Sequence, residues 1–213
     1  MTIKTILFDL DGTLVDTVGD LLASVNMVLE EGGRAPLTYE QIKPKVSSGS
    51  LEMLRLGYPE LSDRQLRDKQ QRFFTVYLNH IAHHSELFEG IDELLKRIEN
   101  KGYNWGIVTN KIERLTHSLL AELNLKPSVV VGGDTLPVRK PSPEPLIYAC
   151  AKLAADVDET LFIGDDLKDI QAARSAKMRS VAVTYGYGEN AASWQADCVI
   201  DHPNQLWCCD GLV

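Results

Sequence analysis

From residue 91 onward, short β-favouring runs alternate with stretches of helical periodicity, and few folds accept that alternation. The runs 105–108, 129–131, 161–163 and 181–183 are apolar and short, with 198–200 a further candidate. Between them, 91–100, the Leu115, Leu119, Leu120, Leu123 repeat, 144–154 and 168–176 read as helices. Strands that alternate with helices build a parallel sheet with helices on both faces, a Rossmann-like α/β fold. One more apolar run, 5–8, supplies a first strand near the N-terminus.

The stretch between residues 16 and 84 breaks the alternation. Val18, Leu21, Leu22, Val25, Val28 and Leu29 recur at helical spacing until Gly32-Gly33 stops them. Thr38-x-x-Gln41 and Ser62-x-x-Gln65 each fit a capping box ahead of helical periodicity. The second of these helices carries Leu66, Phe73, Phe74, Tyr77, Leu78 and Ile81. The expected organisation is a core of residues 1–15 and 85–213 with an all-helical insert, 16–84. Ligands of open parallel sheets bind beyond the carboxyl ends of the strands. An insert that leaves after the first strand would therefore cover the site as a cap.

Three expected strands run into polar groups at that end. The first runs into Asp9 and Asp11, the run 105–108 into Thr109-Asn110, and 161–163 into Gly164-Asp165-Asp166. Lys140-Pro141 adds a cation in a turn-rich loop. Asp9 and Asp11 are two apart, so on an extended segment they point to one side. Carboxylates so close repel unless a cation or proton lies between them. Alone, Asp11-Gly12 reads as a turn and Asp165-Asp166 as a helix N-cap; together at strand ends they point to a metal site. Oxygen-only ligands suit a hard cation, and Mg²⁺ fits where a substrate phosphate completes the shell.

Charge narrows the function further. A net charge of −8 and a pI near 5.1 argue against nucleic-acid binding, yet leave room for a small anionic substrate held by local cations. No apolar run approaches the roughly 20 residues of a membrane helix, and the first strand begins almost at Met1 with no secretory pattern. A cytoplasmic location without membrane or nucleic-acid partners is the expectation; the oligomeric state is not legible. Of the cysteines Cys150, Cys198, Cys208 and Cys209, none forms a CxxC or zinc-like spacing. Cys150 reads as a buried thiol, and adjacent Cys208-Cys209 as a reduced pair.

In order along the chain, DLDGT at 9–13, the Thr109-Asn110 strand end, Lys140-Pro141 and GDDLKD at 164–169 resemble the haloacid dehalogenase-like hydrolase superfamily. Asp16-Thr17, VTNK at 108–111 and DIQAAR at 169–174 are similar to its phosphoglycolate phosphatase-like group. The run GDTLPVRKPSPEPL from 133 to 146, WGIVTNK at 105–111 and YGYGE at 185–189 resemble N-acetylmuramic acid 6-phosphate phosphatases of that group.

The resemblance implies a Mg²⁺-dependent phosphomonoesterase acting on a small metabolite, either 2-phosphoglycolate or N-acetylmuramic acid 6-phosphate. Asp9 would attack phosphorus to give an aspartyl-phosphate. Asp11 would protonate the leaving oxygen and then deprotonate water. Thr109 and Asn110 would hold phosphate oxygens, and Lys140 would neutralise charge on Asp9 and the transferring group. Asp9, Asp165 and the backbone carbonyl of Asp11 would bind the metal, with Asp169 supporting them from behind or through water. In the cap, Ser48 and Gly49 would reach the leaving group, and Arg139 is a further candidate contact. The alternative is a sugar-phosphate mutase, which returns the phosphoryl group to its substrate; a non-catalytic protein on the same fold is a third reading.

Overall fold

In the computed structural model, which describes residues 3–209, β1 (Thr5–Phe8) is buried along its whole length. It occupies the interior of the sheet, so its side chains need no polar alternation. A short β2 (Val15–Asp16) leads into α1 (Val18–Glu31), α2 (Tyr39–Ile42), a 3₁₀ turn (Lys43–Ser48), α3 (Ser50–Gly57) and α4 (Asp63–Asn79). The chain returns through β3 (Glu86–Leu87), which pairs antiparallel with β2. Then follow α5 (Ile91–Asn100), β4 (Asn104–Val108), α6 (Glu113–Glu122), β5 (Val130–Val131) and α7 (Glu144–Leu153). β6 (Thr160–Gly164), α8 (Leu167–Ser175), β7 (Arg179–Val183), β8 (Cys198–Ile200) and a 3₁₀ turn (Pro203–Cys208) complete the described chain.

The main sheet is parallel, in the order β5-β4-β1-β6-β7-β8. This is the Rossmann-like α/β architecture expected. Successive side chains of β1 serve opposite faces: Ile6 and Phe8 pack with Ile91, Leu94 and Ile98 of α5, whereas Leu7 packs with Leu146 and Ala149 of α7. Both capping boxes form, on α2 and α4.

The helices of the insert gather around their own apolar cluster, including Val25, Leu29, Met53, Leu54, Phe73 and Tyr77. Both crossings to it are fastened. Asp20 of α1, 1% exposed, accepts the amides of His84 and Ser85 and the Ser85 hydroxyl. The Tyr187 hydroxyl meets the Thr17 amide at 2.6 Å and donates to Asp16 at 3.0 Å. Asp16 lies in β2, and its carboxylate accepts the Val18 amide of α1's first turn.

The cysteines require a correction. Cys198 and Cys209 form a disulfide, with Cα atoms 6.0 Å apart. The turn Pro203–Cys208 folds back beside β8, an approach that a search for short Cys spacings does not detect. Cys208 is free and exposed, and Cys150 is the expected buried thiol. Among the described residues, no helix is long and apolar enough to cross a membrane.

Candidate active site

The sheet order explains why the polar strand ends meet. β1 lies between β4 and β6, so residues just past Phe8, Val108 and Gly164 emerge side by side. The Asp9 amide still bonds the Ile163 carbonyl at 2.9 Å, which fixes the first carboxylate against β6. Gly12 then turns the chain at φ +88°, and a Cβ there would stand 2.2 Å from Asp165 Oδ2. Only glycine permits that approach.

One carboxylate oxygen each from Asp9, Asp165 and Asp169 lies within 4.8 Å of the others. Asp165 is fully buried and accepts the Thr13 hydroxyl at 2.9 Å and the Tyr187 amide at 2.8 Å. Burial, then Asp9 and Asp169, push its pKa well above the carboxylate range. Burial also raises Asp169, to about 7, against the pull of Lys140. Buried acids that resist ionisation together, offering only oxygens, suit a hard divalent cation. The residues fit that group. Asp169 belongs to this set, whereas the Asp11 carboxylate is outside it.

Lys140, 2% exposed, makes ion pairs with Asp9 Oδ1 at 3.0 Å and Asp169 Oδ1 at 2.7 Å. Burial opposes its charge, but Asp169 and Asp9 outweigh that and hold its pKa above the ordinary lysine value. The other oxygen of Asp169 accepts the Asp166 amide, and Asp166 caps α8 by accepting the Lys168 amide. Asp166 is thus a helix N-cap. Asn110 donates to the Lys140 carbonyl at 3.0 Å and ties the two loops together. Among the described residues, its Oδ1 is buried without a partner.

Sequence reasoning passed over Lys111. Its ammonium lies 3.0 and 3.3 Å from the Asp11 oxygens and donates to the Tyr77 hydroxyl of α4 at 2.9 Å. The signal was present in VTNK: Lys111 is two residues beyond Thr109, the same offset that joins Asp9 and Asp11. Tyr187 escaped notice because its contribution to Asp165 is a backbone amide, which no side-chain pattern reveals.

Asp9, Asp11, Lys111, Lys140 and Asp169 open onto a cavity of about 190 Å³ between sheet and insert, whereas Asp165 is not among its lining residues. Asp9, Asp11, Thr109, Asn110 and Lys140 form one wall, and Ser48 and Gly49 of the insert face them with Met53, Phe73 and Phe74. Lys168 donates to the Ser47 carbonyl, joining α8 to the insert loop. His84 is a backbone partner of Asp20 at the insert's return, and Trp194 and Tyr185 pack against apolar neighbours. Tyr185 also donates to the Thr13 carbonyl at 3.1 Å.

Residues 6–183 match the family model described as haloacid dehalogenase-like hydrolase. A phosphoglycolate phosphatase of Xanthomonas campestris pv. campestris (strain 8004) is 40% identical over 209 residues, covering 96% of this chain and 95% of that protein. An N-acetylmuramic acid 6-phosphate phosphatase of Pseudomonas aeruginosa PAO1 is 38% identical over 212 residues, covering 97% and 94%. Among solved structures, one described as a predicted phosphoglycolate phosphatase from Haemophilus somnus superposes with a TM-score of 0.87 at 28% identity, covering 98% of both chains.

Proposed function

Because the chain belongs to the haloacid dehalogenase-like hydrolase family and is a phosphatase of it, we propose that it hydrolyses a small phosphomonoester metabolite through a phosphorylated Asp9. The carrying observation is that Asp9 faces both the acidic cluster and the buried ammonium of Lys140. That pairing lets an anionic nucleophile approach an anionic phosphoryl group.

Asp9 attacks phosphorus, and the P–O bond to the leaving group breaks. Asp11 gives its proton to the leaving oxygen, then takes one from the water that cleaves the acyl phosphate. Thr109 and Asn110 hold the phosphoryl oxygens, and Lys140 balances their charge. Asp9, Asp165 and the Asp11 backbone carbonyl hold the cation, which we take to be Mg²⁺, with Asp169 orienting Lys140 and closing the acidic cluster. When bound, that ion neutralises the nucleophile and the phosphate together.

Residues 16–84 act as a cap over a core formed by 1–15 and 85–213, a division supported by the insert's apolar cluster, which Leu115 and Tyr187 of the core join at its edge. Ser48 and Gly49 meet the leaving group from the cap. The candidate substrates are those named for the relatives, 2-phosphoglycolate and N-acetylmuramic acid 6-phosphate. Such charged metabolites do not cross membranes unaided, and we place the reaction in the cytoplasm.

The test is a phosphomonoester panel including both compounds, assayed with Mg²⁺ and with EDTA. Hydrolysis that EDTA abolishes, and that Asp9→Asn lowers by at least about 10³-fold, supports the reading. Wild-type turnover in Asp9→Asn would sink the covalent mechanism. Release of little inorganic phosphate from a hexose 1-phosphate that is nonetheless consumed would favour the mutase.

A further inference from the structure

Lys111, Arg139, Lys140 and Lys168 are the basic side chains lining the cavity. Three of them are engaged. Lys140 pairs with Asp9 and Asp169, Lys111 with Asp11 and Tyr77, and Lys168 with Asp166 and the Ser47 carbonyl. The exposed Arg139 is the exception: among the described residues, its guanidinium has no carboxylate, carbonyl or ring partner. In a site this rich in carboxylates, an unpaired guanidinium offers a place for an anion from outside.

The loop before Arg139 is held firmly. Gly133 packs so closely on Asn110 that a Cβ would stand 2.2 Å from its carbonyl oxygen. The Gly133 amide bonds the Lys111 carbonyl at 2.8 Å, and Thr135 donates to Glu113 at 2.8 Å. Beyond it, Ser142 donates its amide to the Arg139 carbonyl at 2.9 Å. Arg139 is therefore presented from backbone fixed on both sides, next to Lys140.

We infer that Arg139 receives a second anionic group of the substrate, a carboxylate on the leaving-group side, and so restricts turnover to phosphomonoesters that carry one. The inference rests on the phosphatase reading above. Thr109, Asn110 and Lys140 already serve the phosphoryl group, and the insert wall offers apolar Met53, Phe73 and Phe74 beside uncharged Ser48, Ser50 and Gln70, with no cation of its own. A guanidinium fork matches a carboxylate with two parallel N–H donors. Both phosphorylated compounds named for the relatives carry such a group.

The test uses matched pairs: 2-phosphoglycolate against its uncharged amide, and N-acetylmuramic acid 6-phosphate against N-acetylglucosamine 6-phosphate, which lacks the lactyl carboxylate. For whichever pair is turned over, wild type prefers the acid. In Arg139→Gln, KM for the acid rises about 10- to 100-fold while kcat stays within about threefold, as expected for losing a charge-assisted contact made in ground and transition states alike. The neutral ester changes by less than about threefold, and Arg139→Lys recovers part of the acid's affinity. Equal losses on both members of a pair would assign Arg139 to the phosphoryl group and overturn the inference, as would an unchanged preference. Failure of wild type to hydrolyse any of the four esters would instead remove both candidate substrates, and this inference with them.

Discussion

The Lys111 ammonium lies 3.0 Å from Asp11 Oδ1 and donates to the Tyr77 hydroxyl of the insert, so one buried cation joins the proposed acid to the helical layer above it. Burial opposes its charge, but Asp11 and then Tyr77 outweigh burial and hold its pKa above the ordinary lysine value. When Asp11 gives up its proton to a leaving oxygen it becomes a carboxylate, and Lys111 stabilises that product. Lys111→Met should therefore lower kcat about 10- to 100-fold on alkyl phosphomonoesters, whose leaving groups need the proton. 4-Nitrophenyl phosphate, with a leaving group that departs as an anion, should lose less than about fivefold. Steady-state kinetics on both substrates checks this, and equal losses would reduce Lys111 to a packing role.

Metal removal should expose the protons that replace the cation. Burial raises the Asp165 and Asp169 carboxyls, the latter to about 7, so the metal-free folded state binds protons that the unfolded chain, with ordinary carboxyls, has released. A raised folded-state pKa stabilises fully below the unfolded value, about 4, and that stabilisation is lost as pH rises through about 7. In EDTA the Tm should fall between pH 5 and 8, two values chosen to bracket the upper part of that window. Mg²⁺ should restore it most at the alkaline end, where no protons compete. Calorimetric Mg²⁺ titrations should show weaker binding at pH 6 than at pH 8, with proton release. A Tm in EDTA that rose over this range would refute the sign.

Asp20 offers a test of the fastening between insert and sheet. Its carboxylate accepts the amides of His84 and Ser85 out of contact with water. Asp20→Ala leaves both without that acceptor, at a cost of roughly 2 to 4 kcal/mol. The expected drop in Tm is on the order of 5–10 °C. Asp20→Asn keeps one oxygen acceptor and should cost less. Thermal unfolding of the two variants decides, and Asp20→Ala with an unchanged Tm would show that water replaces the carboxylate.

The legible parts of this protein were those written in local pattern. Alternating strands and helices, both capping boxes and the carboxylates after β1 and β6 depend on neighbours a few residues apart, and each could be read directly. Asp166 was legible as an N-cap for the same reason. What remained hidden depends on chain returning from far away. The Cys198–Cys209 bond needs the fold-back after β8, and the amide of Tyr187 reaches Asp165 across 22 residues. Lys111 was an intermediate case: its offset from Thr109 was visible, but its partner Tyr77 belongs to a helix 34 residues away. Arg139 was noticed beside Lys140, yet its distinguishing property is the lack of a partner among the described residues, which only the packed site reveals.

The segment Tyr185-Gly186-Tyr187-Gly188 gives the last prediction. Its backbone lies against the acidic cluster so closely that a Cβ on Gly186 would stand 2.3 Å from the Gly12 carbonyl oxygen and 2.4 Å from Asp165 Cβ. The next residue supplies the amide that orients Asp165, and its hydroxyl meets Thr17 at the root of the insert. Gly186→Ala must push this segment away, which costs about 1–3 kcal/mol as overpacking and detaches the Tyr187 amide from Asp165. Groups that orient a metal ligand typically account for about 10- to 100-fold in affinity, so Mg²⁺ binding should weaken by that much. Tyr187→Phe makes the contrasting variant: it keeps the amide and removes only the hydroxyl. Its Mg²⁺ affinity should stay within about threefold of wild type, since the charged ligand keeps its donor, while hydrogen exchange at the Thr17 amide accelerates. Titration calorimetry and exchange on both variants separate the two contributions, and equal loss of Mg²⁺ affinity in both would show that the segment acts as one unit.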